Sequence, residues 1–311
     1  MSLTIKTDLK ADMEACAKRF FDLNPNLKYE PTKELFPQWC ALRHKLIDSK
    51  PRKVIFSKNF KIPVHLQAGL NALVLKLQNG ENVNPHLNKT SVDPNEQDGM
   101  LNDFGIHHFH LGANLEGDFM ERTGEVAFVL INQDTAFFID APLHGRGSTD
   151  PLVWNRQKHI QTIHDEQPHL LEAFRVHGSI KANTYTDEQR SKLRKLNFNP
   201  FTQVNDGTCY ISPGFGTVIS GDSTRSVREY LLISTILKER FKHAEELLRS
   251  SIKSPVNELV LKMVDFEGQT QALDVLFEVI MNGQVIAMIS SEYIGDDKVR
   301  NTIKGLNAPT A

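Results

Sequence analysis

Along the first quarter of the chain, apolar and charged positions alternate at helical spacing. Ile5, Leu9, Met13, Ala17 and Phe20 recur near one stripe, which predicts an amphipathic helix over residues 5–24, stopped by Asn24-Pro25-Asn26. A second helix is predicted from about Lys33 to Asp48, and Lys50-Pro51-Arg52 breaks the pattern before a third apolar segment at 62–78. The polar stretch 79–99 has no apolar period and reads as a loop or domain boundary. Beyond it the period changes to two. Segments 106–112, 125–132 and 135–140 read as strands, the last two joined by a tight turn at Asn132-Gln133-Asp134.

Asp150-Pro151 supplies an N-cap followed by proline at the first helical position, so the spacing predicts a helix over 151–164. Shorter helical stretches follow near 168–176 and 186–196. From Asp206 the chain reads as a strand, a glycine-bearing loop and a long helix to about Arg249, capped by Asp222, Ser223 or Ser226, with Ser226 and Glu229 spaced as a capping box. Three strand-like runs close the chain, and Asn282-Gly283 signals a two-residue hairpin turn. The whole reads as α+β: a helical N-terminal region (1–99), a histidine-bearing mixed region with antiparallel strands (100–200), and a strand, long helix and C-terminal three-stranded meander (201–311). The last two regions can form one domain.

Composition narrows the class. With 311 residues, 40% hydrophobic and 24% charged, the chain has enough apolar content for a substantial core. It holds no apolar run of about 18 residues to span a bilayer. Its N-terminal segment lacks the apolar core of a signal peptide, and Cys16, Cys40 and Cys209 are too scattered for a disulfide framework, so a cytoplasmic protein is expected. The net charge of -2 exerts no global pull on nucleic acid. The basic residues Arg43, Lys45, Lys50, Arg52, Lys53, Lys58 and Lys61 read as a solvated helix face and linker, with an anion-facing patch as the alternative.

The candidate chemistry lies in Asp103-Phe104-Gly105-Ile106-His107-His108-Phe109-His110-Leu111-Gly112. Side chains on a strand alternate in direction, so His108 and His110 share one face and His107 and Phe109 the other. His144 follows the strand 135–140, and a hairpin pairing of the three strands would bring it near them. In the preferred reading, His108 and His110 act as general acid and base in cleaving RNA by its own 2′-hydroxyl. His144 orients or replaces one of them, and Arg146 stabilises charge, with Arg122 and Arg156 as further cations. This reading needs no cofactor and implies RNA as partner. It resembles small toxin-type endoribonucleases at the level of architecture, and so suggests a toxin or phage-defence setting. The alternative is a metal-dependent hydrolase or oxygenase, in which His108, His110 and His144 hold zinc or iron and Asp103 or Asp140 adds a ligand or orients one. A non-catalytic binding protein is the third reading.

Two neighbouring features read as structural. Gly216 to Ser223 has the spacing of a phosphate loop, but Asp222 stands where that motif needs lysine, which excludes a nucleoside triphosphatase. Trp154, Ile160 and Ile163 read as a packed helix face, and His159, His164 and His169 as solvent-side or turn residues.

The histidine motif from Asn102, the Asp140-to-His144 segment, and Asp206-Gly207-Thr208-Cys209-Tyr210 leading to Gly214-Phe215-Gly216 and Ser220-Gly221 together resemble a family of uncharacterised bacterial and prophage-borne proteins. The resemblance covers roughly residues 100–235. It carries no activity, cofactor or catalytic residue, but it implies that the histidine and glycine segments belong to one unit.

Overall fold

A computed structural model describes residues 3–145, 148–178, 184–252, 256–267 and 273–290. In chain order the elements are β1 (Thr4–Lys6), α1 (Leu9–Leu23), α2 (Leu35–Lys45), β2 (Lys53–Phe56), α3 (Gln67–Asn79), α4 (Gly99–Phe104), β3 (Ile106–His110), β4 (Leu115–Glu116), β5 (Phe119–Met120) and β6 (Val126–Ile131). They continue with β7 (Thr135–Asp140), α5 (Lys158–Glu166), α6 (Asp187–Lys195), β8 (Thr202–Gln203), β9 (Cys209–Tyr210), α7 (Thr224–Ser251), β10 (Glu258–Glu267), β11 (Asp274–Met281) and β12 (Gln284–Ser290). Helices and mixed sheets make this an α+β protein, with the antiparallel β10-β11-β12 meander at its C-terminal end. No helix among the described residues is long and apolar enough to cross a membrane.

The chain forms two compact units: one from Met1–Pro25, Glu30–Cys40 and Arg228–Ala311, the other from Asn26–Tyr29 and Ala41–Val227. The first holds the sheet β1-β10-β11-β12, in which β1 runs parallel to β10. Val275, Phe277 and Val279 alternate into its core, where Phe241 of α7 meets Phe277 edge-on. Asp12 of α1 accepts the Met263 N–H at 2.8 Å, tying the helix to β10. Asn282 and Gly283 form the hairpin turn that the dipeptide predicts.

The second unit is built on the sheet β2-β7-β6-β3, buried on both faces. One face carries Phe109, Ala127, Val129, Ala136 and Phe138 against Leu70, Leu73 and Leu77 of α3. The other carries Ile106, Phe128, Leu130, Phe137 and Ile139 against Ile160 and Ile163 of α5. Double burial explains why β6 (VAFVLI) and β7 (TAFFID) are nearly continuous apolar runs.

The structure departs from the sequence reading in several places. The contact boundary at residues 40 and 41 lies well before the polar stretch 79–99, because β2 pairs in parallel with β7 and α3 covers the sheet face. By contrast, the histidine and glycine segments share the second unit, so no boundary falls between them. Pro151 opens a turn, a single 3-10 turn follows at Val153–Asn155, and α5 starts only at Lys158. The Asp150 side chain explains the delay: it caps the Leu152 N–H at 2.9 Å and holds Arg156 in a two-point ion pair. The stretch 168–176 holds only two 3-10 turns, Pro168–Leu170 and Glu172–Phe174. The long helix begins at Thr224, so Ser226 lies inside it and does not open a capping box. In the basic segment, Lys45 is buried on the carbonyls of Asp93 and Glu96, and Arg52 on those of Asp48, Lys50 and Asn132. Both are structural cations and do not belong to a surface patch.

Candidate active site

The site is assembled where α4 turns into β3. Asp98 caps α4, its Oδ1 accepting the N–H groups of Met100 and Leu101. Gly105 ends the helix in the left-handed conformation that glycine adopts without strain, and the chain enters β3 directly. This short helix aims the second carboxylate oxygen of Asp98 at His108, whose Nδ1 lies 3.5 Å away and makes no hydrogen bond.

His108 and His110 share the face with Ile106, as strand alternation predicts. His144 does reach them. Its backbone N–H and its Nδ1–H both bond the Gly124 carbonyl, at 2.9 and 2.5 Å, and its ring centroid lies 5.7 Å from that of His110. Trp154 closes the group, with its ring 5.0 Å from His108, 5.4 Å from His144 and 5.3 Å from Phe128. Arg122 is close enough for its charge to depress the proton affinity of both His108 and His110.

The hydrogen bonds give two of these rings opposite polarity. A backbone N–H can only donate, so Nδ1 of His110, 3.2 Å from the Thr123 nitrogen, is an acceptor and the neutral ring carries its proton on Nε2. A carbonyl can only accept, so His144 carries its proton on Nδ1 and keeps a lone pair on Nε2. Behind the strand, the buried His86 donates from Nδ1 to the His110 carbonyl at 3.0 Å, with Lys76 Nζ 3.2 Å from its Nε2.

Burial lowers the proton affinity of His108 and His110. His110 is pushed down to about 3, first by burial and then by the charges of His108, Arg122 and His144. His108 is also lowered by burial, with Asp98 opposing the shift and His144 and Arg122 adding to it. His107 points to the opposite face and is lowered well below the usual range by burial, then by His44 and Arg225.

Several expected participants stand elsewhere. Asp103 takes no part in the histidine group: Arg190 bonds it through Nε and Nη2 at 2.9 and 2.7 Å, Arg194 at 3.2 and 2.6 Å, and Ser212 Oγ at 2.9 Å. Asp140 is held by Lys158 at 2.7 Å and by the Ala141 N–H at 2.9 Å. Neither is placed as a ligand. Among the described residues no three His, Cys, Asp or Glu side chains are grouped to hold a metal ion. The His110 tautomer, moreover, leaves no lone pair on Nε2 for zinc or iron. Arg156 is committed to Asp150 and Asp187, and Arg146 lies outside the described residues. His159 is buried at 1% exposure, edge-on to Phe128 and lowered to about 4 by burial, and so is not a solvent-side residue. His164 bonds the Tyr210 hydroxyl at 2.8 Å.

Trp154, Asp98 and His86 are the participants that sequence reasoning missed. Trp154 looked like the start of a packed helix face because α5 was expected to begin too early. Asp98 falls in the polar stretch 79–99 that reads as a loop, and nothing in the spacing links it to the strand that follows α4.

No family model matches the chain, and neither a curated protein nor a solved structure is significantly similar to it.

Proposed function

We propose that this chain cleaves RNA by histidine acid–base catalysis, with the 2′-hydroxyl of the substrate as nucleophile. The observation that carries the reading is the opposite polarity of His144 and His110 on one sheet face. His144 Nε2 takes the proton of the 2′-hydroxyl as its oxygen attacks phosphorus. His110, neutral at working pH, donates from Nε2–H to a non-bridging oxygen as negative charge builds. His108 is the one ring of the group facing a carboxylate, and in its protonated form it delivers a proton to the departing 5′-oxygen. The products are a 2′,3′-cyclic phosphate and a free 5′-hydroxyl. Arg122 supplies positive charge beside the phosphate, and Trp154 offers an aromatic surface to a base. This reassigns the roles expected from sequence: His144 replaces His110 as base, and Arg122 takes the part given to Arg146. Three free cysteines fit a cytoplasmic setting.

The test is cleavage of a short RNA beside the same oligonucleotide as DNA, with the products identified by mass. Cleavage of RNA only, ending in a cyclic phosphate and lost in His144→Ala, is expected. Equal cleavage of DNA, or RNA turnover unchanged in the His108→Ala, His110→Ala double variant, sinks the assignment. Cleavage that chelators abolish would move the metal-dependent reading ahead.

A further inference from the structure

In the same unit, away from the histidines, a half-enclosed cavity of about 290 Å³ is lined by Gln157, Lys158 and Gln161 of the α5 region, Thr184 and Tyr185, and residues 201, 203, 204 and 205. Its volume sits at the low end for small-molecule sites, enough for one ring system and little more. Two of its amides have a fixed orientation. Gln157 Nε2 donates to the Tyr185 carbonyl at 2.7 Å and to Asp187 Oδ1 at 3.2 Å, and Gln203 Nε2 donates to the Gly207 carbonyl at 3.1 Å. Because those partners can only accept, both side-chain Oε1 atoms remain as acceptors. Gln161 is closed at both ends, by Asp165 and by the Asn205 N–H. Among the described residues the Asn205 side chain makes no hydrogen bond, and it can both give and accept. Tyr185 and Phe201 add aromatic surface, and Phe201 is 40% exposed.

We propose that this cavity binds a nucleobase carrying an exocyclic amino group: adenine, cytosine or guanine. Such a base offers two N–H donors to the preset acceptors of Gln157 and Gln203, a ring-nitrogen or carbonyl acceptor to the Asn205 amide N–H, and a flat face to the aromatic rings. Uracil has a single ring N–H donor and leaves an acceptor unpaired. The inference rests on the RNA-cleaving reading in one respect, that the base belongs to the cleaved strand. The sheet makes this reachable: His108 pairs with Phe128, Phe128 with Asp140, and Asp140 binds Lys158 at the cavity. Two strand spacings put the Asp140 backbone roughly 10 Å from His108, and the cavity lies beyond it by about the length of the Lys158 side chain, within the span of a few nucleotides.

The experiment titrates the full chain with AMP, CMP, GMP and UMP by calorimetry. It is repeated with Gln203→Leu/Asn205→Leu, with Asn205→Asp, and with His144→Ala. AMP, CMP or GMP should bind about tenfold tighter than UMP, and the double variant should weaken that binding by about tenfold or more. Asn205→Asp keeps size but loses the amide donor, so it should also weaken binding without disturbing the fold, while His144→Ala should not. Equal affinity for all four nucleotides, no binding, or binding lost in His144→Ala but kept in the cavity variants overturns the assignment. An RNA arm separates the two claims. Nucleotide binding without any RNA cleavage ends the ribonuclease reading and leaves the cavity site standing. Histidine-dependent cleavage whose base preference survives in the cavity variants ends the cavity assignment alone.

Discussion

Replacing Asp103 tests whether the acid in the histidine motif is scaffold or chemistry. Its carboxylate is 6% exposed and accepts five hydrogen bonds, from two nitrogens of Arg190, two of Arg194 and Ser212 Oγ. Arg190 itself is fully buried, and both guanidinium groups lie over the Phe104 ring, at 4.9 and 5.2 Å. Asp103→Ala therefore strands a buried cation that, among the described residues, keeps only the carbonyls of Pro200 and Phe201 as hydrogen-bond acceptors, at 3.3 Å each. Removing one partner of a buried pair costs about 3–5 kcal/mol, and for a unit of this size that lowers the melting temperature by about 6–20 °C. Asp103→Asn keeps one acceptor and should fall between the variant and the native protein.

Urea unfolding gives the free energy directly, and a cycle with Arg190→Ala gives the coupling, expected above about 1 kcal/mol. Activity is then compared at a temperature where the Asn variant is fully folded. A cost under about 1 kcal/mol would refute the argument from buried charge. Lost cleavage in a folded Asn variant would put Asp103 back among the chemical residues. The pH dependence has a definite sign. Burial pushes the carboxyl up, but Arg190 and Arg194 together outweigh it and hold it below the usual carboxylate range. Its stabilisation is therefore complete above the unfolded value of about 4 and is lost as pH falls through the lower folded value.

Other expectations follow from the site and its supports. His144→Ala should lower cleavage by about 10²–10⁴-fold with the melting temperature nearly unchanged, as measured by single-turnover kinetics beside thermal unfolding; an unaltered rate would remove it as base. Elemental analysis of protein purified without added metal should find far less than one equivalent per chain. About one equivalent of zinc or iron, lost in the His108→Ala, His110→Ala variant, would favour metal ligation instead. Gly214→Ala would place a Cβ 2.0 Å from the Leu101 carbonyl oxygen and 2.3 Å from that of Asn102, so a loss of about 1–3 kcal/mol or more is expected by urea titration; a neutral result would mean the glycine segment is not seated on α4 as described.

Local signals carried the secondary structure well where one period dominated. The strands 106–110, 126–131 and 135–140, the long helix and the C-terminal hairpin were legible because alternation or helical spacing ran unbroken there. The parallel strand β2 was not legible, since Lys53-Val54-Ile55-Phe56 is four residues long and its pairing with β7 joins positions far apart in sequence. The same contrast holds in the site. That His108 and His110 share a face follows from alternation alone, but the role of each ring depends on Thr123 and Gly124, whose backbone groups act through geometry that residue identity does not encode. Asp103 stands so close to the histidines in sequence that it reads as their partner. Its true partners are 87 and 91 residues away, and nothing in the motif's own spacing points to them.

The buried histidines set a conflict between chemistry and stability that pH will expose. His44 and His110 are lowered to about 3 and His86 and His159 to about 4, in each case first by burial. An unfolded imidazole takes up its proton near pH 6.5, so between that pH and the lower folded values the unfolded chain binds more protons. Stability is therefore greatest above about 6.5 and declines as pH falls, with each such group contributing up to about 1.4 kcal/mol per pH unit until its folded value is reached. The acid role given to His108 points the other way, because burial lowers its proton affinity and the reactive protonated form grows toward acid. Cleavage should then rise as pH drops from 8 for as long as the base keeps its lone pair, and its final collapse, when the fold gives way, should track loss of near-ultraviolet circular dichroism. His159→Phe, at a residue that meets the Phe128 ring edge-on and bonds the Val153 carbonyl, removes one of the titrating groups and should move the collapse to lower pH while leaving the rising limb in place. If the rising limb moved as well, the acid-side behaviour would belong to the fold and the general acid would have to be sought outside His108.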